Sequence, residues 1–402
     1  MPALAIRAFT ATTALGCGRE AQAEALRTRR SGLRENDFPY SGDGERLQTW
    51  IGRVDGLEQA SLPGQWAHWE CRNNRLAWLA LQQDGLPEAI GEVGRRHGAE
   101  RVALVVGTST SSIGATEEAY ARLEDGDGGE PAFPADLDRP IVHTPHSLGG
   151  FLQQATGLRG PCITVATACS SSAKVFAQAA RLIDSGIVDA ALVGGVDTLC
   201  NSVLYGFNSL GLVSAAPCRP FDRDRDGLSL GEAGGFAVLE RAPAGETGLQ
   251  LRGYGESSDA HHMSTPHPEG MGARLAMADA LARAGIPANQ VGYLNLHGTA
   301  TPANDIIEAQ AVAALFPDSL HASSTKGWTG HTLGAAGIVE SVFALIALEE
   351  GLLPGMLNSQ VPDPACGEQI RFDNAMSDHL RYAMNNSFGF GGNNSSLLFG
   401  RA

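Results

Sequence analysis

Charge is scarce and lopsided in this sequence of 402 residues: 18% of them are charged, and 29 Lys and Arg face 44 Asp and Glu, a formal net charge of −15. So acidic a chain is not built to hold nucleic acid along a broad surface, and an acidic partner would need a local basic patch. Aromatic residues are few as well, at 6%. Glycine is plentiful at 50, so small residues fill many buried positions and backbones approach closely. The seven cysteines are Cys17, Cys71, Cys162, Cys169, Cys200, Cys218 and Cys366. Their number is odd and none forms a C-x-x-C pair. That speaks against a disulfide framework and a zinc ribbon, and for a reducing compartment such as the cytoplasm. Residues 1–7 lack the basic stretch and apolar core of a signal peptide. The longest uncharged stretch near mid-chain, 198–218, carries Asn201, Ser202, Asn208, Ser209 and Ser214, too polar for a membrane span.

What is present is an ordinary globular balance, 43% hydrophobic, long enough for two or three domains or two large halves. Short apolar runs predict strands at 101–107, 162–165, 189–195 and 290–296. Val175, Phe176, Ala179, Leu182 and Ile183 recur at helical spacing, and Gly186 closes the pattern. A second apolar helix is expected from Ala335 to about Glu350, ended by Gly351. Asp305 with Glu308 resembles a capping arrangement at the start of another helix. Arg27, Arg29, Arg30 and Arg34 form the densest basic cluster, followed by a glycine- and charge-rich loop at 41–45. Residues 117–130, acidic and glycine-rich, read as an exposed helix end and loop. Val175-Phe176-Ala177 and Val342-Phe343-Ala344 occupy similar places in the two apolar helices, and the strand-to-helix grammar repeats after about Gly248. We read a degenerate duplication with two halves, 1–245 and 246–402, joined by a short polar connection at 241–247.

Cys169 follows a predicted strand where a helix begins, among Ala166, Ala168, Ser170, Ser171 and Ser172. Free N–H groups and the helix dipole at such an end stabilise a thiolate; the plain alternative is a small buried hydrophobe. His297 ends a strand and opens a Gly-Thr loop, a common place for function, against the alternative of a structural histidine. His331 and Lys326 share a loop ahead of the second apolar helix, although a lone Lys is ordinarily a solvated charge. One Cys and two His from three such junctions suit thiolate acyl chemistry, with both imidazoles donating to one developing oxyanion. The glycine-rich loop at 387–394 is either a plain turn or the source of a backbone donor beside the thiolate. Residues 222–227 open like an EF-hand loop, but its twelfth position would be Ala233, which excludes that site. Gly253-Tyr254-Gly255 lacks the third glycine of a dinucleotide loop. His261, His262 and His267 complete no zinc pattern. No metal and no cofactor is expected.

Seven motifs in this order resemble those of the β-ketoacyl-[acyl-carrier-protein] synthases, condensing enzymes of the thiolase superfamily. They are Thr167-Ala-Cys169-Ser-Ser; Arg219-Pro-Phe-Asp222 with Arg225-Asp-Gly227; Ser257-Ser-Asp-Ala-His-His262; His297-Gly-Thr-Ala-Thr301-Pro; Thr325-Lys326 with Thr329-Gly-His331; Gly334-Ala-Ala-Gly337; and Asn386-Ser-Phe-Gly-Phe390-Gly-Gly392. The resemblance spans nearly the whole chain. It implies an α/β, thiolase-like, five-layered αβαβα fold built from two duplicated halves. It also implies an acyltransferase that condenses malonyl-carrier with an acyl chain in fatty-acid or aryl polyene and polyketide elongation. By the same resemblance Cys169 is the nucleophile, and the N–H groups of Cys169 and Phe390 form its oxyanion hole. His297 and His331 hold the enolate, and Lys326 acts by charge and orientation, with Glu340 beside it helping to fix His331. Thr299 and Thr301 bind the pantetheine arm, Phe390 is a gate, Phe207 a pocket wall and Thr110 part of the pocket floor near a dimer interface. Asp305 and His262 are supporting residues. The implied partners are acyl carrier protein and a second subunit, in a homodimer or in a heterodimer with a chain-length-factor-like chain.

Departures from the family pattern are Asn393 where Thr is usual, Gly327-Trp328 beside Lys326, which would narrow the entrance, and a short loop at 215–218. The acidic 117–130 stretch lies where carrier docking often uses basic residues. Arg72, Arg75 and the cluster at 27–34 are the candidates for a docking patch. A non-catalytic chain-length partner would lack Cys169, and a coenzyme A thiolase would carry a second Cys where Phe388-Gly-Phe390 stands.

Overall fold

Each half of the chain lays down five strands in the same relative places. The computed structural model describes residues 1–40 and 45–402, so residues 41–44 of the predicted glycine-rich loop lie outside it. The first half supplies β1 (Leu4–Thr13), β2 (Val102–Gly107), β3 (Cys162–Val165), β4 (Ala190–Asp197) and β5 (Ala233–Arg241). The second supplies β6 (Leu249–Ser258), β7 (Tyr293–Asn295), β8 (His321–Ser323), β9 (Tyr382–Gly389) and β10 (Asn393–Arg401). The strand orders are β3-β2-β4-β5-β1 and β8-β7-β9-β10-β6, one order used twice. In each half three strands run parallel around the second one, and the last two join antiparallel. Among the described residues the sheets pair where Leu4 meets Leu251 and Ala5 meets Gln250.

Two helices fill the space between the sheets, α1 (Ser171–Asp184) and, late in the chain, the helix Ala336–Glu350. The late helix is buried at every residue from Ala336 to Leu348; a helix apolar all round needs cover on every side, and α1 and the inner faces of both sheets supply it. A Cβ on Gly337 would sit 2.4 Å from Ala173 N, so the crossing of these two helices requires glycine. Outside the first sheet lie the helices Arg72–Leu81, Leu86–His97 and Ser147–Thr156; outside the second lie Met271–Ala284 and Pro302–Ala313. The layers therefore run α, β, α, β, α, as the resemblance implies. We label the helices used below α2 (Asn201–Ser209), α3 (Met271–Ala284), α4 (Pro302–Ala313) and α5 (Ala336–Glu350).

Two local expectations are corrected. The strand expected over 290–296 is confined to β7, because Ala288–Gln290 forms a 3-10 turn after Pro287. The helix expected to open at Asp305 opens at Pro302, with Thr301 as its N-cap; proline suits that first position because its missing N–H is not needed there. Asp305 and Glu308 are therefore inside α4, and their carboxylates point into the protein rather than cap it. The 117–130 stretch, expected as an exposed helix end and loop, is the end of the helix Ile113–Ala121, with Ala119 buried, followed by a short strand Glu124–Asp125 that pairs with Pro131–Ala132. Among the described residues no helix is long and apolar enough to cross a membrane.

Candidate functional site

Cys169 sits in the turn from β3 into α1, one residue before the N-cap Ser170. The preceding Ala168 has φ 53°, a left-handed conformation that costs a non-glycine residue roughly 1–3 kcal/mol and persists only where surroundings enforce it. The turn aims Sγ at His331, whose Nε2 lies 3.0 Å away. The backbone N–H of Phe390 lies near the same sulfur and favours its anion. His297 stands across from His331, ring centroids 5.5 Å apart and nearly perpendicular at 86°.

The supports of His297 are exact in chemistry and lie deep in the protein. Its backbone N–H and that of Gly298 donate to the two oxygens of Glu308, each at 2.8 Å. Its carbonyl accepts from Lys326 Nζ, which also pairs with Glu340; all of these side chains are buried. Lys326 therefore positions His297 through its backbone. The expected link from Glu340 to His331 is not a contact: Glu340 touches Lys326, and Lys326 reaches His297 because that carbonyl is the acceptor within its range.

Burial sets the charge states. It holds both imidazoles well below the usual histidine range, and the Lys326 charge pushes them further the same way. Burial pushes the Cys169 thiol up to about 12, against the pull of Lys326 and the Phe390 N–H. The resting pair is thus a neutral thiol beside a neutral imidazole. The thiolate expected from helix-end position is not the resting form, because Cys169 is enclosed and desolvation outweighs the dipole. Glu308 and Glu340 are each raised to about 7, and Asp305 to about 6, by burial.

Cys169, His297 and His331 open into a cavity of about 380 Å³ that Thr299, Thr301, Phe207 and Phe390 also line. The Thr299 and Thr301 hydroxyls are 2.8 Å apart. Phe207, on α2, stacks on Phe390 with centroids 5.7 Å apart. The other expected residues lie outside the cavity wall. Thr110 gives its hydroxyl to Asp197. Asp305 accepts from Phe221 N and faces Arg225. His262 is exposed, and its Nδ1 accepts from the N–H groups of Ser264 and Thr265, shaping the loop whose residues 263–266 line the mouth. Trp328 does not narrow the entrance: it is wholly buried and donates to Ala25 O.

The proposed docking arginines are tied down internally. Arg72 pairs with the fully buried Glu232 at 2.6 Å and also with Glu58, Arg75 with Glu70, Arg27 with Glu350 and Arg34 with Asp55. Arg29 and Arg30 donate to backbone carbonyls. Arg72, Arg75, Arg27 and Arg34 therefore face carboxylates, whereas Arg29 and Arg30 have no carboxylate partner among the described residues.

Sequence reasoning missed Glu308 and Asp197 as organisers, and the left-handed residues Ala168, Ala300, Leu333 and Phe221 that cluster around the site. One signal was available: only Lys174 and Lys326 among the 29 basic residues are lysine, and Lys326 is wholly buried.

Comparison with known proteins gives one answer from three directions. Residues 73–244 match the profile of the β-ketoacyl synthase N-terminal domain, and residues 249–360 that of the β-ketoacyl synthase C-terminal domain. A mitochondrial 3-oxoacyl-[acyl-carrier-protein] synthase of Arabidopsis thaliana is 39% identical over 269 residues, 62% of this chain and 58% of its own length. The 3-oxoacyl-[acyl-carrier-protein] synthase 2 of Vibrio cholerae serotype O1 is 34% identical over 339 residues, 80% of each chain. A ketosynthase from Xenorhabdus doucetiae, solved in complex with its chain length factor, superposes with a TM-score of 0.87 at 35% identity, over 100% of this chain and 98% of that one.

Proposed function

The chain belongs to the β-ketoacyl synthase family, and on that footing we propose that it catalyses decarboxylative Claisen condensation of a malonyl thioester with an acyl chain held on Cys169. The observation that carries this is the meeting of one thiol, two neutral imidazoles and a backbone donor at one cavity.

In the first half-reaction Cys169 Sγ attacks the acyl thioester carbonyl. The S–C bond to the enzyme forms, the S–C bond to the pantetheine arm breaks, and the thiol proton ends on the departing sulfur. His331, in its Nε2–H tautomer, supports the developing thiolate, and the N–H groups of Cys169 and Phe390 receive the oxyanion. In the second, the malonyl thioester binds with its carbonyl oxygen between His297 and His331. The bond to the carboxylate breaks, CO2 leaves, and both Nε2–H groups hold the enolate oxygen. Its carbon attacks the acyl-cysteine, a C–C bond forms, and the Cys169 thiolate leaves and takes a proton from solvent. Neutral imidazoles suit this role, because each must donate to an anion without surrendering a proton in bulk.

Acyl carrier protein is the proposed donor of both groups; the names of the relatives place a 3-oxoacyl group on that carrier for those proteins. Thr299 and Thr301 would hold the pantetheine arm, Phe390 would gate the cavity, and Phe207 and Thr110 would bound the acyl chain. Asp305 and His262 act at a distance, by fixing the RPFD turn and the mouth loop. The two-fold partner would meet the chain at β3, whose only strand neighbour among the described residues is β2 and whose residues are half exposed. That partner is a second copy or, in aryl polyene or polyketide elongation, a chain-length-factor-like subunit such as the one solved with the Xenorhabdus relative. Seven free cysteines accord with a reducing, cytoplasmic setting.

The test is mass spectrometry of the intact protein after exposure to acyl-loaded carrier, with CO2 release measured on adding malonyl-carrier. An acyl adduct on Cys169 that malonyl-carrier discharges supports the reading; an adduct elsewhere, or none, sinks it.

A further inference from the structure

Asp197 ends β4 and is wholly buried, yet every partner it has is uncharged. Its Oδ1 accepts from the Thr108 hydroxyl at 2.5 Å, from Thr110 N at 3.1 Å and from the Thr110 hydroxyl at 2.9 Å. Its Oδ2 accepts from Ser109 N and the Ser109 hydroxyl, both at 2.8 Å, and from Gly334 N at 2.6 Å. A carboxylate offers about four lone-pair directions, so these six donors crowd both oxygens and leave no place for a hydroxyl or an amide there.

The donors come from two loops of different halves. One, residues 108–110, leaves β2 and carries Thr110, which lies outside the wall of the 380 Å³ cavity and, on the condensing reading, bounds the far end of the acyl chain. The other, residues 331–334, carries His331 and turns through Leu333 at φ 57°. A Cβ on Gly334 would fall 2.6 Å from Asp197 Oδ2 and 2.5 Å from Ser109 N, so this close approach admits only glycine. The Ser109 hydroxyl also accepts from Gly334 N at 3.2 Å, which ties the loops a second time.

We propose that Asp197 is a positioning residue that holds the pocket-floor loop and the turn after His331 as one unit, so that acyl-chain depth and the aim of the His331 imidazole are set together. The proposal rests on the condensing reading given above. On that reading an acyl chain long enough to reach Thr110 acts through Asp197 on Gly334, and so on the imidazole that must meet the enolate oxygen. The Asp197 charge is also felt at the reactive sulfur. The charged and titratable groups around Cys169 are Lys326, Asp197, Glu340, His331 and His297, and the Asp197 charge disfavours the thiolate.

The test compares Asp197→Asn and Ser109→Ala with the wild-type protein. A misplacement of about 1 Å can cost on the order of a hundredfold in rate. Asp197→Asn should therefore lower the kcat of condensation by roughly ten- to a hundredfold, with KM for malonyl-carrier nearly unchanged, the pattern of an interaction made in the transition state. Its products should spread over more chain lengths. At fixed pH, iodoacetamide should label its Cys169 faster than in the wild type, because one opposing charge is gone; a merely structural role would not do this. Ser109→Ala should shift kcat and chain length in the same directions but less, and it decides the matter if Asp197→Asn does not fold. A folded Asp197→Asn with wild-type kcat and product lengths, or with Cys169 labelling no faster, overturns the proposal, as does a wild-type-like Ser109→Ala when that variant must decide. A wild-type protein that releases no CO2 from malonyl-carrier overturns the condensing reading itself, while the labelling comparison still reports on Asp197.

Discussion

Replacing Glu340 by Leu should destabilise the protein by about 3–5 kcal/mol, the cost of leaving one member of a buried ion pair without its partner. The structure supports the high end. Lys326 and Glu340 side chains are 2% and 4% exposed, so water cannot take the place of the lost carboxylate. The ammonium keeps one acceptor, the His297 carbonyl, which satisfies a hydrogen bond but not a charge. The double variant Lys326→Met/Glu340→Leu removes both charges with apolar groups of similar volume and should recover most of the lost stability. It should not recover CO2 release, because nothing then holds the His297 carbonyl. Urea unfolding of the wild type, both single variants and the double variant measures the first part, provided the slope with denaturant stays constant. Malonyl-carrier decarboxylation measures the second. A Glu340→Leu midpoint equal to that of the wild type, or a double variant no more stable than Glu340→Leu, would refute the reasoning.

Cys169→Gln should end condensation yet leave decarboxylation intact or raised, whereas His297→Ala and His331→Ala should each slow CO2 release about a hundredfold, the worth of roughly 3 kcal/mol from one oxyanion donor; a CO2 release that needs Cys169 but neither histidine contradicts the division of roles. With the thiol held near 12, the rate of Cys169 alkylation by iodoacetamide should climb about tenfold per pH unit from 7 to 10, following the thiolate fraction, and a plateau near neutrality would show that burial has been overvalued. Arg72→Glu should lower the unfolding midpoint strongly, since it leaves the buried Glu232 carboxylate facing a like charge, and KM for carrier measured on the folded fraction should hardly move; a rise in KM without loss of stability would mean that Arg72 serves docking after all.

The parts of the fold that were legible in the sequence are those that local pattern dictates. The buried strands β2 and β4 are continuous apolar runs, and α1 and α5 announce themselves by period and by their closing glycines. The repeated Val-Phe-Ala signalled the duplication, and the repeated strand order now gives it a physical form. Cys169, His297 and His331 stood at strand or loop ends ahead of helices, and there the structure finds them. What stayed hidden depends on partners far away in sequence. Glu308 resembled a cap because its spacing from Asp305 is that of a capping box; only the tertiary structure brings its oxygens to His297 and Gly298. The thiol's charge state was misjudged because helix-end position is local, whereas desolvation is set by everything around the sulfur. Arg27 and Arg34 looked like part of a patch because a sequence shows cations near one another without the carboxylates, Glu350 and Asp55, that face them.

The position of β1 has a consequence for how the protein is made. The strand at residues 4–13 lies inside the joined sheet, between β5 and β6, and these partners begin only at Ala233 and Leu249. Apart from the two-residue pairing of Thr12 and Thr13 with Gly16–Cys17, at a ribosomal rate of ~5–20 residues per second β1 waits about ten to forty-five seconds for its first long partner. During that time a mostly apolar strand with two open edges trails from the nascent chain, a template for pairing with any other unfinished copy. Slower growth of the polypeptide would lengthen that interval and a colder cell would weaken the hydrophobic contacts that tempt mispairing, so a holding chaperone that masks extended apolar segments should matter more to the yield of this protein than to that of a chain whose first strand pairs with its second.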